Sequence, residues 1–192
     1  MARWEPGARE RLVVAAVELF TEQGYDATTV TQIAEQAGVT RSTFFRYFPD
    51  KRDLLVAGQE TLSQLLADGI AEAPQGASPL EAVAAGLERA SSAMGPMNRE
   101  LGPRLKAAVA ASAELQERDA LKSVGLAAAM TTALVARGVP GPTAHLAGEL
   151  GVLAFKMGYA GWSEADCETA GELAPYTLTA LDELRAASAS LG

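Results

Sequence analysis

The chain is poor in the residues that carry most metal and nucleophilic chemistry. Its 192 residues include one cysteine, Cys167, and one histidine, His145. A disulfide needs two cysteines, and a structural zinc site needs a cluster of His and Cys ligands, so neither framework is open to it. No metal site, no cofactor and no catalytic residue is assigned. Cys167 and His145 would act as a nucleophilic pair only if the fold joined two isolated residues of an alanine-rich region. Aromatic residues are scarce at 6% of the chain, and none lies between Pro49 and Ala154. The interior of that stretch has to be built from Ala, Leu, Val and Met. Basic residues are outnumbered: 16 Lys and Arg face 24 Asp and Glu, a net charge of −8. As a chain average this argues against a nucleic-acid binder, whose domain usually carries a basic excess. Uncharged apolar runs of the roughly eighteen residues that a membrane helix needs are missing too. Met1-Ala2-Arg3-Trp4-Glu5 runs directly into charge, unlike a signal peptide. A soluble, cytoplasmic protein with no membrane partner is expected.

What the chain has is alanine, 39 residues of it, and alanine has the best intrinsic helix propensity. No stretch alternates with the period of a strand. The spacing of Leu12, Ala15, Ala16, Leu19 and Phe20 predicts a first helix from about Gly7 to Gln23, stopped by Gly24. Thr29 and Gln32 form a capping box that opens a short helix burying Val30, Ile33, Ala34 and Ala37. Gly38-Val39 makes a turn, and Thr40 caps a second short helix from Arg41 to about Tyr47, which ends before Pro49. A long helix is predicted from Lys51 to about Ala73, broken by Pro74-Gln75-Gly76-Ala77. Ser78-Pro79-Leu80-Glu81 starts the next, to about Met94. Further helices are expected from about Asn98, loosened at Gly102-Pro103; from about Glu114 to Arg137; and from Thr143 to Trp162. The last starts near Ser163, with a kink at Pro175. The fold class is therefore all-α.

Two short helices around Gly38, behind a longer one, make a helix-turn-helix. Its outer face would carry Arg41, Ser42, Thr43, Arg46 and Tyr47, with Phe44 and Phe48 in the core. Arginine and hydroxyl side chains suit base edges and phosphates. Segment by segment the charge also changes meaning. Residues 1–52 hold seven basic and seven acidic residues, and Arg41 to Arg52 holds four basic and one acidic. The whole of the −8 lies in the rest of the chain.

The run Gly24-Tyr25-Asp26-Ala27-Thr28-Thr29-Val30, Ile33-Ala34, Ala37-Gly38-Val39-Thr40, Ser42-Thr43-Phe44-Phe45-Arg46-Tyr47-Phe48-Pro49-Asp50-Lys51 and Leu54-Leu55 strongly resembles the DNA-binding domain of TetR-type repressors. The resemblance covers about residues 8–56. It implies a DNA-binding domain in residues 1–52 and a helical ligand-binding and dimerisation domain in residues 53–192. It implies a homodimer on a palindromic double-stranded operator, released by a small-molecule effector. Carried over to matching positions, Thr29 caps the second helix and meets a phosphate, while Arg41, Ser42 and Thr43 start the recognition helix. Tyr47 and Lys51 match phosphate anchors. Phe45 replaces a usual tyrosine, so a phosphate hydrogen bond is lost there; either it touches a thymine methyl or sugar, or it packs in the core.

The rest of the chain carries weaker signals. Met94, Met97, Met130, Phe155, Tyr159 and Trp162 are candidates for an apolar effector pocket, with plain core packing as the alternative. Thr143–Trp162 carries a small-residue stripe that includes Gly148, Gly151, Ala154 and Gly158, beside a bulky one of Leu146, Leu150, Leu153 and Met157. Glycine inside a helix costs about 1 kcal/mol against alanine, so close helix approach is expected. The resemblance makes this segment and Pro175–Ala187 the subunit interface; close packing within one subunit is the alternative. Arg99, Arg104 and Lys106 could face an acidic ligand or solvent. Glu114, Glu117, Arg118, Asp119 and Lys122 are spaced as surface pairs along one helix. The expected function is a ligand-responsive transcriptional repressor. An all-α binding protein without DNA binding and an all-α enzyme are the alternatives.

Overall fold

The computed structural model describes residues 7–166 and 170–191. Its helices are α1 (Ala8–Gln23), α2 (Val30–Gln36), α3 (Arg41–Tyr47), α4 (Gln59–Glu72), α5 (Pro79–Ser92), α6 (Pro96–Ala111), α7 (Ala113–Ala136), α8 (Gly141–Glu164) and α9 (Ala174–Ala189). No strand occurs among the described residues. Cys167 lies outside them, and His145 sits exposed in the first turns of α8.

The chain divides into two compact units, and its halves are interleaved. The first holds the described residues up to Ala57 together with Pro103–Leu121; the second holds Gly58–Gly102 and the described residues from Lys122 onward. The division falls after Ala57 rather than after Arg52, and α6 and α7 each begin in one unit and end in the other.

The first unit is built as its apolar spacing requires. Leu12, Ala16, Phe20, Ile33, Ala34, Phe44, Phe48, Leu54 and Leu55 close one core, and Ala108 and Leu115 complete it. Gly38 adopts φ 67 between α2 and α3, a left-handed turn that a side chain would strain. The long helix predicted from Lys51 is two pieces. Lys51–Val56 forms a 3-10 turn, and Gly58, at φ 83, separates it from α4. Leucine spacing runs through both pieces, but an alanine-glycine pair lets the backbone turn between them.

In the second unit α4, α5, α8 and α9 bury Leu62, Leu66, Ile70, Val83, Leu87, Val152 and Leu181 with Leu126, Met130 and Leu134 of α7. Among the described residues α7 is long and apolar enough, by length and composition, to cross a membrane; here its Leu126, Ala127, Met130 and Leu134 supply core. Two expectations change. The last helix starts at Ala174, and Pro175 stands in its first turn, where a missing N–H costs nothing, so no kink follows. The small stripe of α8 also faces the other way. Gly148, Gly151, Ala154 and Gly158 are buried within their own subunit. A Cβ on Gly148 would lie 2.7 Å from Thr131 Oγ1, one on Gly151 2.8 Å from Val83 Cγ1, and one on Gly158 2.6 Å from Thr177 Cα. Close approach is therefore intramolecular. Leu146, Leu153 and Met157 are the large apolar residues that this helix leaves exposed.

Candidate nucleic-acid interface

α2 and α3 are short, and each starts on a threonine hydroxyl. Thr29 accepts from the Gln32 amide at 3.3 Å, while the Gln32 side chain accepts from the Thr29 amide at 2.8 Å. Thr40 accepts from the Thr43 amide at 3.1 Å, with the two hydroxyls 3.0 Å apart. These caps satisfy amides that a seven-residue helix would otherwise leave unpaired.

The outer face of α3 is polar, cationic and aromatic. Arg41, Ser42, Phe45, Arg46 and Tyr47 are exposed, Thr43 is half-buried, and Phe44 is fully buried. Phe45 is 49% exposed, its ring meeting Phe44 edge-on at 5.3 Å. Core packing is thus excluded for Phe45, which presents an apolar ring on the exposed face of the helix. Arg46 lies 5.1 Å over the Tyr47 ring, which restricts both side chains before any ligand binds. Arg9, which the sequence left unassigned, lies 5.6 Å over the ring of Phe48.

Lys51 departs from expectation. Its Nζ donates to the carbonyls of Tyr25 at 2.7 Å and Thr28 at 3.1 Å, and stands 3.9 Å over the Tyr25 ring. The ammonium is turned into the protein, where it ties the start of the 3-10 turn to the loop before α2. Two carbonyls and an aromatic face replace the phosphate as its partners.

Tyr25 is the second residue that local spacing did not reveal. It is 4% exposed, packs edge-on against Phe20, and donates its hydroxyl to Glu114 Oε1 at 2.9 Å. Burial, and then the bond to Glu114, push its phenol well above the ordinary value near 10. In the second unit, burial pushes Tyr159 up to about 12. Both phenols stay neutral in the fold, so their contribution is complete below pH 10 and declines as pH rises above it, where unfolded tyrosines ionise. An absorbance titration should therefore show Tyr25 and Tyr159 ionising late, together with unfolding. Tyr25 and Tyr159 titrating near pH 10 with the helical signal intact would contradict this.

The expected effector residues are partly gathered. Met94, Phe155 and Tyr159 pack with Trp162, with Phe155 stacked 6.1 Å from Tyr159 and Tyr159 5.8 Å from Trp162. The Trp162 Nε1 donates to Gly171 O at 3.0 Å, and the Tyr159 hydroxyl donates to Asn98 O. Met130 belongs to the other core of this unit and is fully buried, and Met97 is half-buried on α6. Arg99 is not a ligand contact here: its guanidinium donates to Trp162 O and Ala165 O, closing the C-terminal end of α8. Glu114 and Arg118 also leave their expected surface pairs, Glu114 for Tyr25 and Arg118 for Asp53. No group of three or more candidate metal ligands occurs among the described residues.

Residues 12–57 match the family model of the bacterial regulatory proteins, tetR family. The chain is 37% identical over 75 residues to the HTH-type transcriptional regulator TcmR of Streptomyces glaucescens, a match covering 39% of this chain and 33% of TcmR. The chain thus spans about a third of that relative's length. Its fold resembles that of the transcriptional regulator FadR of Bacillus subtilis, solved with stearoyl-CoA, at TM-score 0.57 and 20% identity, covering 90% of this chain and 95% of FadR. It also resembles FadR of Thermus thermophilus, a transcriptional repressor solved with lauroyl-CoA, at TM-score 0.51 and 24% identity over 91% of both chains.

Proposed function

We infer, from a chain whose residues 12–57 match the family model of the bacterial regulatory proteins, tetR family, that the protein is a DNA-binding transcriptional regulator of that family, a repressor acting as a homodimer in the cytoplasm. The observation that carries this reading is the outer face of α3, where Arg41, Ser42, Phe45, Arg46 and Tyr47 stand exposed on a helix anchored by buried Phe44. A helix of this width fits the major groove, where arginine reads guanine and an apolar edge meets a thymine methyl. Two copies would read a palindrome with half-sites about 34 Å apart. Arg41, Ser42 and Phe45 are the base-reading residues of this proposal. Thr29, Thr43, Arg46 and Tyr47 serve the sugar-phosphate backbone, while Lys51 supports the head from within.

The first unit is the DNA-binding head and the second binds the effector and the partner subunit. The partner face is the bulky side of α8, Leu146, Leu150, Leu153 and Met157, since the glycines of that helix are used internally. The effector is a largely apolar molecule admitted beside Met94, Phe155, Tyr159 and Trp162. Acyl-CoA, the ligand of the two FadR structures, is the first class to try by thermal shift. An effector releases the operator only by binding better to the state whose heads no longer match the half-sites.

Selection of bound duplexes from a random pool tests this reading. Recovery of a palindrome supports it; recovery of nothing above background removes DNA binding and leaves a helical binding protein. On the selected site Arg41→Ala should cost about 1–3 kcal/mol and relax selectivity at one base pair per half-site. Base-resolved binding profiles check this, and a uniform loss across all sequences would reassign Arg41 to the backbone.

A further inference from the structure

We propose that Glu114 and Arg118 of α7 are positioning residues for DNA recognition: they set the pose of the recognition helix from outside the helix-turn-helix. The inference rests on the reading of the first unit as an operator-binding head. Pro103–Leu121 belongs to the same compact unit as the helix-turn-helix, although about fifty residues separate it from that segment in the chain. Leu115 is fully buried in the core shared by Phe20, Ile33, Phe44 and Phe48. That anchor places the side chains one and three residues along the same helix against the head.

Glu114 and Arg118 engage the two ends of one structural corner. Glu114 Oε1 accepts from the Tyr25 hydroxyl at 2.9 Å and lies 4.0 Å from Arg52 Nη1. Tyr25 is in turn the residue over which Lys51 sits, and Lys51 binds the carbonyls of Tyr25 and Thr28. Thr28 directly precedes Thr29, the cap of α2. Arg118 pairs with Asp53 in the 3-10 turn that follows α3. The entry to α2 and the exit from α3 are therefore both tied to the first two turns of α7.

The chemistry of these ties points to geometry rather than to stability. The Asp53–Arg118 pair is half-buried, and Arg118 Nε itself is buried without a hydrogen-bond partner. A partly desolvated ion pair with an unsatisfied donor stabilises a fold less well than apolar packing does. What it does supply is a directional contact that is satisfied in one arrangement of the corner. A reading helix displaced by a fraction of an ångström loses its base contacts, so directional ties there have a use that packing alone does not.

The test measures binding of the full-length protein to a duplex selected by the wild type, well below the melting temperature. Tyr25→Phe and Glu114→Ala should each weaken operator affinity by about tenfold, the size of one hydrogen bond to a charged group. The double variant should lose no more than Glu114→Ala alone, because Tyr25→Phe removes a tie that Glu114→Ala already lacks. Glu114→Gln, which keeps the acceptor, should restore affinity to within about twofold of the wild type by the same reasoning. The slope of affinity against salt should stay unchanged, since neither residue touches a phosphate. Arg118→Met combined with Asp53→Asn, which removes the ion pair without leaving a carboxylate unpaired, should weaken the operator while shifting the melting temperature little, and it carries the test if Glu114→Ala does not fold. Folded Glu114→Ala and Asp53→Asn/Arg118→Met proteins that bind like the wild type overturn the inference, as does a Tyr25→Phe/Glu114→Ala variant whose losses add. A wild type that selects no duplex overturns the operator reading itself, an outcome distinct from variants that merely match a binding wild type.

Discussion

Leu153→Glu should leave the subunit folded, abolish the dimer and lower affinity for a full palindrome by two orders of magnitude or more. Leu146, Leu153 and Met157 recur along one side of α8 at 59%, 44% and 39% exposure. Half-buried Leu150 stands between them. Large apolar side chains in such a row are normally covered in the working assembly. A carboxylate in their midst would be stripped of water on association without gaining a partner, which costs several kcal/mol. The monomer itself barely notices, because Leu153 supports none of its cores. Two tethered heads gain roughly 10²–10⁴ over one from effective concentration alone, and that factor is what the variant forfeits. Sedimentation equilibrium and titrations on full and half palindromes measure the two effects. A Leu153→Glu protein that still sediments as a dimer would move the interface off this face.

Gly158→Val should do the reverse, lowering the melting temperature by about 5–10 °C without acting through the dimer. A Cβ at this position lies 2.6 Å from both the N and the Cα of Thr177 and 2.8 Å from its Cγ2. Two of these are backbone atoms of α9, so no rotamer change relieves the clash and the helices must part. The junction also holds the buried pair of Ser91 and Thr177 hydroxyls, 3.2 Å apart. Overpacking of this kind costs about 1–3 kcal/mol or more, and each kcal/mol shifts a chain of this size by about 2–4 °C. Gly161→Ala is the control. Its Cβ would meet nothing closer than 3.5 Å, at Tyr176, so it should gain up to about 1 kcal/mol of helix propensity. Melting by circular dichroism separates the two. A Gly158→Val protein with unchanged melting but a lost dimer would restore the small-residue stripe as the subunit contact.

The contrast between these variants shows where residue patterns stop being informative. Thr29 with Gln32, Thr40 before α3, and Ser78 with Glu81 were legible because a cap involves residues three apart, and nothing distant competes for them. Phe44 and Phe48 were legible as core, because their four-residue spacing fits one face. For Phe45 spacing is silent, since an aromatic next to a core position fits either burial or exposure. The two stripes of α8 were visible, but their direction was not. Glycines permit close approach to any helix, of the same subunit or another, and spacing carries no label for which. Glu114 and Arg118 were hidden for a related reason. Their four-residue separation satisfies a surface pairing along α7 as well as it satisfies Tyr25 and Asp53, 89 and 65 residues away. The break at Gly58 escaped because leucines continue on both sides of it.

The interleaving of the two units bears on how far the reading head can be moved between proteins. A graft that takes the helix-turn-helix and stops at Ala57 leaves Ala108 and Leu115 behind, and both fill the head's own core. A leucine-sized hole in such a core costs about 2–5 kcal/mol, a large share of what a small domain has. It would also strand the Tyr25 hydroxyl and the Asp53 carboxylate without their partners. A transplanted specificity would therefore have to travel as two segments, or as single side chains on the face of α3 with the rest of the head left in place. Recombination that reshuffles heads and bodies at one crossover would be selected against for the same reason, whereas point changes at positions 41, 42 and 45 would not.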